Sequence, residues 1–216
     1  MRRRVVVTGI GWVTPLGADL GTVWNRLTEG RSGTRRLSLF DSSGYPVRIA
    51  AEVHDWSVAE IGENPRQWEQ YPRQSGFALG AGVLAAAHAG LTDGSFHPLR
   101  AGVYLGCGEP FEDFHQFTNA ICRSDADAVA TPIRSDAADR SDGASAGTAA
   151  AASDRGSALR LFDPDAERQY DPNLPAIHLA GRLNLQGPNL NCIAACVSSA
   201  QAIGQSAAII QRDEAD

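Results

Sequence analysis

Among the side chains capable of covalent chemistry, the thiol of Cys196 stands in the most telling place. The alternation over Leu190–Ala195 predicts a strand, and the run Val197-Ser198-Ser199-Ala200-Gln201-Ala202-Ile203-Gly204 predicts the start of a small-residue helix extending to Gln211. A cysteine between them sits at a helix N-terminus, where free N–H groups and the helix dipole favour an anion. A free thiol with a pKa of about 8.5 can fall to about 3.5–7.5 in such places, and the thiolate is the form that attacks a thioester carbonyl. The small neighbours Ala194, Ala195, Ser198 and Ser199 leave room for a long, thin substrate, and Gly204 predicts close approach of another backbone. Spacing alone favours a buried small hydrophobe, which is what most free cysteines are.

Other candidates are weaker. Cys192 and Cys196, four apart, would face the same side of one strand, so a metal pair is conceivable, but no second ligand cluster accompanies them. Cys107 and Cys122 read as inert. Gly9-x-Gly11 follows a strand-like run but lacks the third glycine and spaced acid of a dinucleotide fingerprint. Trp24 reads as core rather than ligand.

The elements that must position Cys196 are legible in outline. Val5-Val6-Val7-Thr8 reads as a buried strand ending in a Gly9, Gly11, Pro15, Gly17 loop. Asp19 can cap a helix with apolar positions Leu20, Val23, Trp24 and Leu27, stopped at Gly30. Residues 31–65 read as irregular, with a possible strand near Val47–Val53. Arg73–His88 is an Ala- and Gly-rich helix suited to close packing, ended by Gly90. Ala101–Gly106 reads as a strand, Phe111–Ile121 as a short helix, and Pro175–Leu185 as a helix and turn. Ser124–Ser157 is almost wholly Ala, Asp, Ser, Gly and Arg. It cannot bury enough apolar surface to offset its ordering entropy, and reads as a disordered insertion at about 124–157. The alternation of strands and helices predicts an α/β layered fold.

Three segments together resemble the β-ketoacyl-acyl-carrier-protein synthases, the elongating condensing enzymes of the thiolase-like superfamily. Val5-Val6-Val7-Thr8-Gly9-Ile10-Gly11-Trp12-Val13-Thr14-Pro15-Leu16-Gly17 resembles the family's first strand and loop. Gly102-Val103-Tyr104-Leu105-Gly106-Cys107-Gly108 resembles its middle strand and Gly-rich turn. Gly187-Pro188-Asn189 through Ala195-Cys196-Val197-Ser198 to Ala202-Ile203-Gly204 resembles its nucleophile segment. The resemblance implies a layered α-β-α fold and one domain unit over residues 1–216, the N-terminal half of a ketosynthase interrupted by the insertion.

It also implies chemistry. Cys196 falls on the acyl-accepting cysteine. Glu109 falls where the family lines or gates its acyl pocket, often with an apolar or small residue, so a carboxylate there is a departure. Ala194 replaces the family's threonine. The reaction implied is decarboxylative condensation of an acyl thioester with a malonyl thioester, with pantetheine arriving on an acyl carrier protein and no metal or organic cofactor. A homodimer through the strand before Cys196 is implied as well. The family's two histidines and lysine belong to its C-terminal half. His54, His88, His97, His115 and His178 lie in no segment like theirs, and His178 reads as structural. The 216 residues alone are therefore expected to be incomplete and inactive. The alternative is a non-catalytic partner subunit of the chain-length-factor kind, against which the retained Cys196 argues.

Composition sets the outer bounds. The formal net charge of -6 disfavours nucleic acid, while a local basic patch would suffice for an acidic carrier. No run approaches the roughly 18 apolar residues of a membrane span. Arg2-Arg3-Arg4 before Val5 is not followed by a signal-like apolar run, because Gly9, Gly11 and Pro15 break it. Four cysteines are too few for a disulfide scaffold and suit a reducing cytoplasm.

Overall fold

A computed structural model of the chain describes residues 3–92, 94–108 and 168–216. The insertion at 124–157, the Phe111–Ile121 helix, Glu109, Cys122 and His115 all lie outside the described residues. Two compact units are distinguished: Met1–Glu109 with Pro172–Asp216, and Pro110–Asp171, of which only 168–171 are described. All that follows concerns the first.

Its centre is a parallel pair, β3 (Val103–Cys107) and β4 (Asn189–Ile193), with Val103 opposite Asn189 and Cys107 opposite Ile193. Side chains alternate across the pair. Val103 and Leu105 face a core shared with Leu79 of α3 (Arg73–His88) and with Ala176, Leu179 and Ala180 of α4 (Leu174–Leu183). The Cys192 thiol, on the opposite face, donates to the carbonyl of Ser198, the first residue of α5 (Ser198–Gln211). Helices therefore cover both faces of the pair, the layered α-β-α arrangement expected. Leu79 is fully buried, and truncation of such a side chain costs about 2–5 kcal/mol.

The Ala- and Gly-rich composition of α3 has the expected cause. A Cβ at Gly11 would overlap the Ala81 carbonyl of that helix and come within 2.9 Å of the Leu84 carbonyl carbon. The loop after Thr8 can lie on α3 only because neither surface carries a large side chain. The Ile10 N–H donates to His88 Nδ1 at 3.0 Å, closing the same contact at the end of the helix.

Helix α1 (Leu20–Thr28) forms where its pattern places it, and Asp19 accepts from the Thr22 N–H at 2.6 Å. Its Trp24, however, is 60% exposed rather than core; Val23 alone is buried on this helix. The region read as irregular holds an antiparallel ribbon of β1 (Thr34–Arg36) and β2 (Ile49–Ala51). A 3₁₀ turn at Val58–Ile61 and the short α2 (Pro65–Trp68) follow. Helix α4 closes on Asn184 in the left-handed region.

The opening run departs most from expectation. Val5–Thr8 enters no ladder among the described residues, and Val7 is 77% exposed. A β-branched run becomes a strand only when its N–H and C=O groups find a partner. Among the described residues β3 pairs with β4 alone. Arg3 nonetheless ties this end down through Asp213 (2.8 Å) and Asp216 (3.1 Å), carboxylates that also hold Arg100. No described helix is long and apolar enough to cross a membrane.

Candidate active site

Because β3 and β4 run parallel, their carboxyl ends finish on the same edge of the sheet, the edge where open α/β sheets bind ligands. Cys107 ends β3 and is followed by exposed Gly108; Ile193 ends β4 and is followed by Ala194-Ala195-Cys196. The chain turns from strand to helix within four residues. Ala195 takes φ 46°, the left-handed region, and a 3₁₀ turn covers Ala195–Val197 before α5 begins. An alanine there costs on the order of 1–2 kcal/mol, and backbone strain of this kind clusters at functional sites. The turn is held by Ser198 Oγ donating to the Ala195 carbonyl at 2.8 Å and by the Val197 N–H donating to the Ala194 carbonyl at 3.2 Å.

Gly106 explains why the turn sits where it does. It pairs with Cys192 and points at α5. A Cβ there would lie 2.5–2.6 Å from the Ser198 carbonyl group and the Ser199 nitrogen. The start of α5, two residues after Cys196, thus rests directly on the β3 backbone at Gly106. Ser198 is buried in this contact, so it does not line open space.

Three described cysteines surround the sheet end, and their states differ. Cys107 donates to the Pro172 carbonyl at 3.5 Å, and burial pushes its thiol pKa up, as suits an inert thiol. Cys192 donates to the Ser198 carbonyl at 3.2 Å. Cys196 is exposed, and no hydrogen-bond partner holds its thiol among the described residues. It stands two residues ahead of a 14-residue helix whose N-cap, Val197, makes no side-chain hydrogen bond. The free N–H groups of that first turn can receive an anion.

Cys192 and Cys196 belong to different elements, one on β4 and one in the turn, so they form no strand-face pair. No cluster of potential metal ligands occurs among the described residues. Helix α5 is only partly buried, and the close backbone approach expected at Gly204 is not found among the described residues. Only Ser198, Ala202 and Ile209 are buried on it, and a Cβ at Gly204 would meet nothing within 4 Å.

Three of the four described histidines have partners away from Cys196. His178 lies between Trp68 (5.0 Å) and Tyr71 (4.6 Å), the structural placement expected, and burial pushes its pKa down. His88 receives Ile10 N–H, His54 pairs with Glu52 at 3.1 Å, and His97 precedes the turn into β3.

Sequence reasoning missed one tether. Asn191 Nδ2 donates to the Pro172 carbonyl at 2.9 Å, fastening the segment that enters α4 to the sheet end. A polar amide inside an apolar strand was the available signal. The positive φ at Ala195 left none, since alanine does not announce that conformation.

The layered α-β-α arrangement agrees with the thiolase-like fold that the sequence resemblance implies. Residues 2–216 match the family model "Beta-ketoacyl synthase, N-terminal domain", and the chain belongs to the β-ketoacyl synthase family. It is 40% identical over 104 residues to the tetracenomycin polyketide synthase ketoacyl synthase alpha subunit of Streptomyces glaucescens, covering 48% of this chain and 24% of that protein. It is 27% identical over 217 residues to 3-oxoacyl-[acyl-carrier-protein] synthase 2 of Coxiella burnetii, covering 100% of this chain and 44% of that protein. The fold is shared with the ketosynthase of AntDE:AntF, a type II polyketide acyl-carrier protein in complex with its ketosynthase. There the TM-score is 0.63 and identity 18%, over all of this chain and 44% of that one. End-to-end matches show the chain spanning about 45% of the length of its curated relatives.

Proposed function

We propose that the native protein containing this chain is a condensing acyltransferase with Cys196 as its nucleophile. The observation carrying this is the contrast among the thiols: Cys107 and Cys192 donate to carbonyls on opposite faces of the sheet, while Cys196 is exposed at an uncapped helix start. In the first half-reaction the Cys196 thiolate attacks the carbonyl of an acyl thioester on an acyl carrier protein. The new Cys–acyl C–S bond forms, the pantetheine C–S bond breaks, and the carrier thiol leaves with the proton. In the second, a malonyl-carrier thioester loses carbon dioxide. The electron pair of the broken C–C bond becomes an enolate, which attacks the acyl-Cys196 carbonyl. A C–C bond forms, the Cys196 thiolate leaves, and a 3-oxoacyl-carrier two carbons longer results.

The enolate and the tetrahedral oxyanion both need aimed donors. The Cys196 turn supplies backbone N–H groups, and His54, His88 and His178 are engaged away from it. The 216 residues alone should therefore accept an acyl group at Cys196 from an activated thioester yet release no carbon dioxide from a malonyl thioester. The native protein, as a homodimer, should do both. Intact mass reports acyl transfer, and carbon dioxide release reports condensation. Condensation at the wild-type rate by a native Cys196→Ala protein would overturn the nucleophile, and carbon dioxide release by the 216-residue chain would overturn the view that it is incomplete.

A further inference from the structure

Ser198 is only 5% exposed, and its polar groups are engaged on two sides. Its Oγ donates to the Ala195 carbonyl at 2.8 Å, and its own N–H donates to the same oxygen. Its carbonyl accepts from the Cys192 thiol at 3.2 Å and lies against Gly106, where a Cβ would overlap it. Both strands of the parallel pair therefore hold this serine: β4 through Cys192 and β3 through Gly106. The serine in turn holds the Ala195 carbonyl with two donors.

That carbonyl belongs to the same peptide unit as the Cys196 N–H. The unit is planar and trans, so its C=O and N–H point in opposite directions. Fixing the carbonyl toward Ser198 aims the Cys196 N–H away from Ser198, and no acceptor takes that N–H among the described residues. The left-handed φ of 46° at Ala195 is unfavourable for an alanine, so the conformation persists only while its surroundings hold it. The Ser198 hydroxyl is the side-chain contact that does so.

We propose that Ser198, anchored by Cys192, is a positioning residue for Cys196. Its hydroxyl sets the direction in which the Cys196 N–H meets the oxygen of an acyl thioester as negative charge develops there. The inference rests on the function proposed above. The role requires the hydroxyl and not merely a small side chain: alanine would leave the Ala195 carbonyl with a single donor. Cys192 has the lesser part, since a thiol is a weak donor. A hydroxyl that only stabilised the turn would affect all reactions of the Cys196 thiol alike.

The test follows two reactions of Cys196 in the native protein: acylation by an acyl pantetheine thioester and alkylation by iodoacetamide. The thioester develops an oxyanion beside the Cys196 N–H, whereas displacement of iodide at a saturated carbon does not. Removing an aimed oxyanion donor outright costs about 10²–10³ in rate; misdirecting one in Ser198→Ala should lower the saturating acylation rate on the order of tenfold. The half-saturating thioester concentration should stay near the wild-type value, and alkylation should stay within about twofold. In the trapped acyl-enzyme, the infrared stretch of the acyl carbonyl should rise toward that of a thioester without a hydrogen bond. Cys192→Ala should show the same pattern at smaller size, and Cys192→Ser, which returns a donor to the Ser198 carbonyl, should restore it toward wild type. That pair decides the matter if Ser198→Ala does not fold. Equal losses in acylation and alkylation, an unmoved carbonyl stretch, or wild-type acylation in the alanine variants would overturn the positioning role. A wild-type protein that takes up no acyl group at Cys196 would instead overturn the nucleophile, and this role with it.

Discussion

Adding one methyl group at Gly106 should disable Cys196 without touching it. A Cβ at this position would fall 2.5–2.6 Å from the Ser198 carbonyl group and the Ser199 nitrogen, whereas ordinary contact begins at 3.4 Å. The obstruction is helix backbone, which cannot rotate aside as a flexible side chain can. The start of α5 must then move by about 0.9 Å, the difference between those distances. The 3₁₀ turn at Ala195–Val197 moves with it, because Ser198 Oγ and the Ala195 carbonyl tie turn to helix. Overpacking of this size costs about 1–3 kcal/mol of stability. A displacement near 1 Å at a reacting atom can cost about 10²-fold in rate. Gly106→Ala should therefore remain folded, melt earlier, and take up an acyl group at Cys196 from a pantetheine thioester roughly 10²-fold more slowly than wild type. Alkylation by iodoacetamide, which needs no oriented carbonyl, should slow far less. The reasoning fails if Gly106→Ala melts at the wild-type temperature and acylates at the wild-type rate.

Gly204→Ala is the complementary change: nothing lies within 4 Å of the added Cβ, so the 216-residue chain should gain about 0.5–1 kcal/mol from helix propensity. A loss in urea unfolding would show that α5 is packed there. The depressed pKa of His178 fixes a pH dependence. The folded state keeps the imidazole neutral while the unfolded chain takes up a proton near pH 6.5, so the stability contributed is complete above about pH 6.5. It is lost as pH falls through the lower folded pKa. His178→Phe should flatten urea midpoints between pH 7.5 and 5, and an unchanged slope would refute the assignment.

What could be read in the sequence depended on whether the cause was local. Arg73–His88 forms a helix over the range its composition marks, and the strand–turn–helix around Cys196 lies where alternation gives way to small residues. Asp19 caps α1 because an acid beside a helical pattern is a local signal. The 3₁₀ turn at Val58–Ile61 was equally local: Ser57 and Glu60 form a capping box and Gly62 closes the turn in the left-handed region, a pattern visible in Ser57-x-x-Glu60. What failed was everything set by a neighbour. Val5–Thr8 has strand propensity but no ladder partner among the described residues, and Trp24 has a helical position but stays mostly exposed. Gly106 reads as the end of a strand, yet its role is the approach of α5, a contact made across more than 90 residues of sequence.

The surfaces left uncovered near Cys196 lead to the last prediction. β4 is paired along one edge only among the described residues. Leu190 and Ile193 on it are 43% and 47% exposed, and Val197 and Ile203, before and within α5, are 61% and 67% exposed. A fully buried Leu, Ile or Val contributes about 1.5–3 kcal/mol, so covering the exposed part of each should contribute roughly 1 kcal/mol. Four such side chains on each of two copies give about 8 kcal/mol gross. Association itself costs an estimated 4–15 kcal/mol. The balance is close, so the ladder bonds that the free edge of β4 could add decide it. On that ground the 216-residue chain should self-associate at micromolar concentration through β4. Leu190→Asp with Ile193→Asp should abolish the association, because two carboxylates per copy would have to be desolvated at a symmetric contact. Phe40→Ser, on the β1–β2 ribbon, should leave it intact. Light scattering separates the outcomes: a monodisperse wild-type monomer, or an oligomer indifferent to the paired aspartates, would refute association through the strand that carries the chain into Cys196.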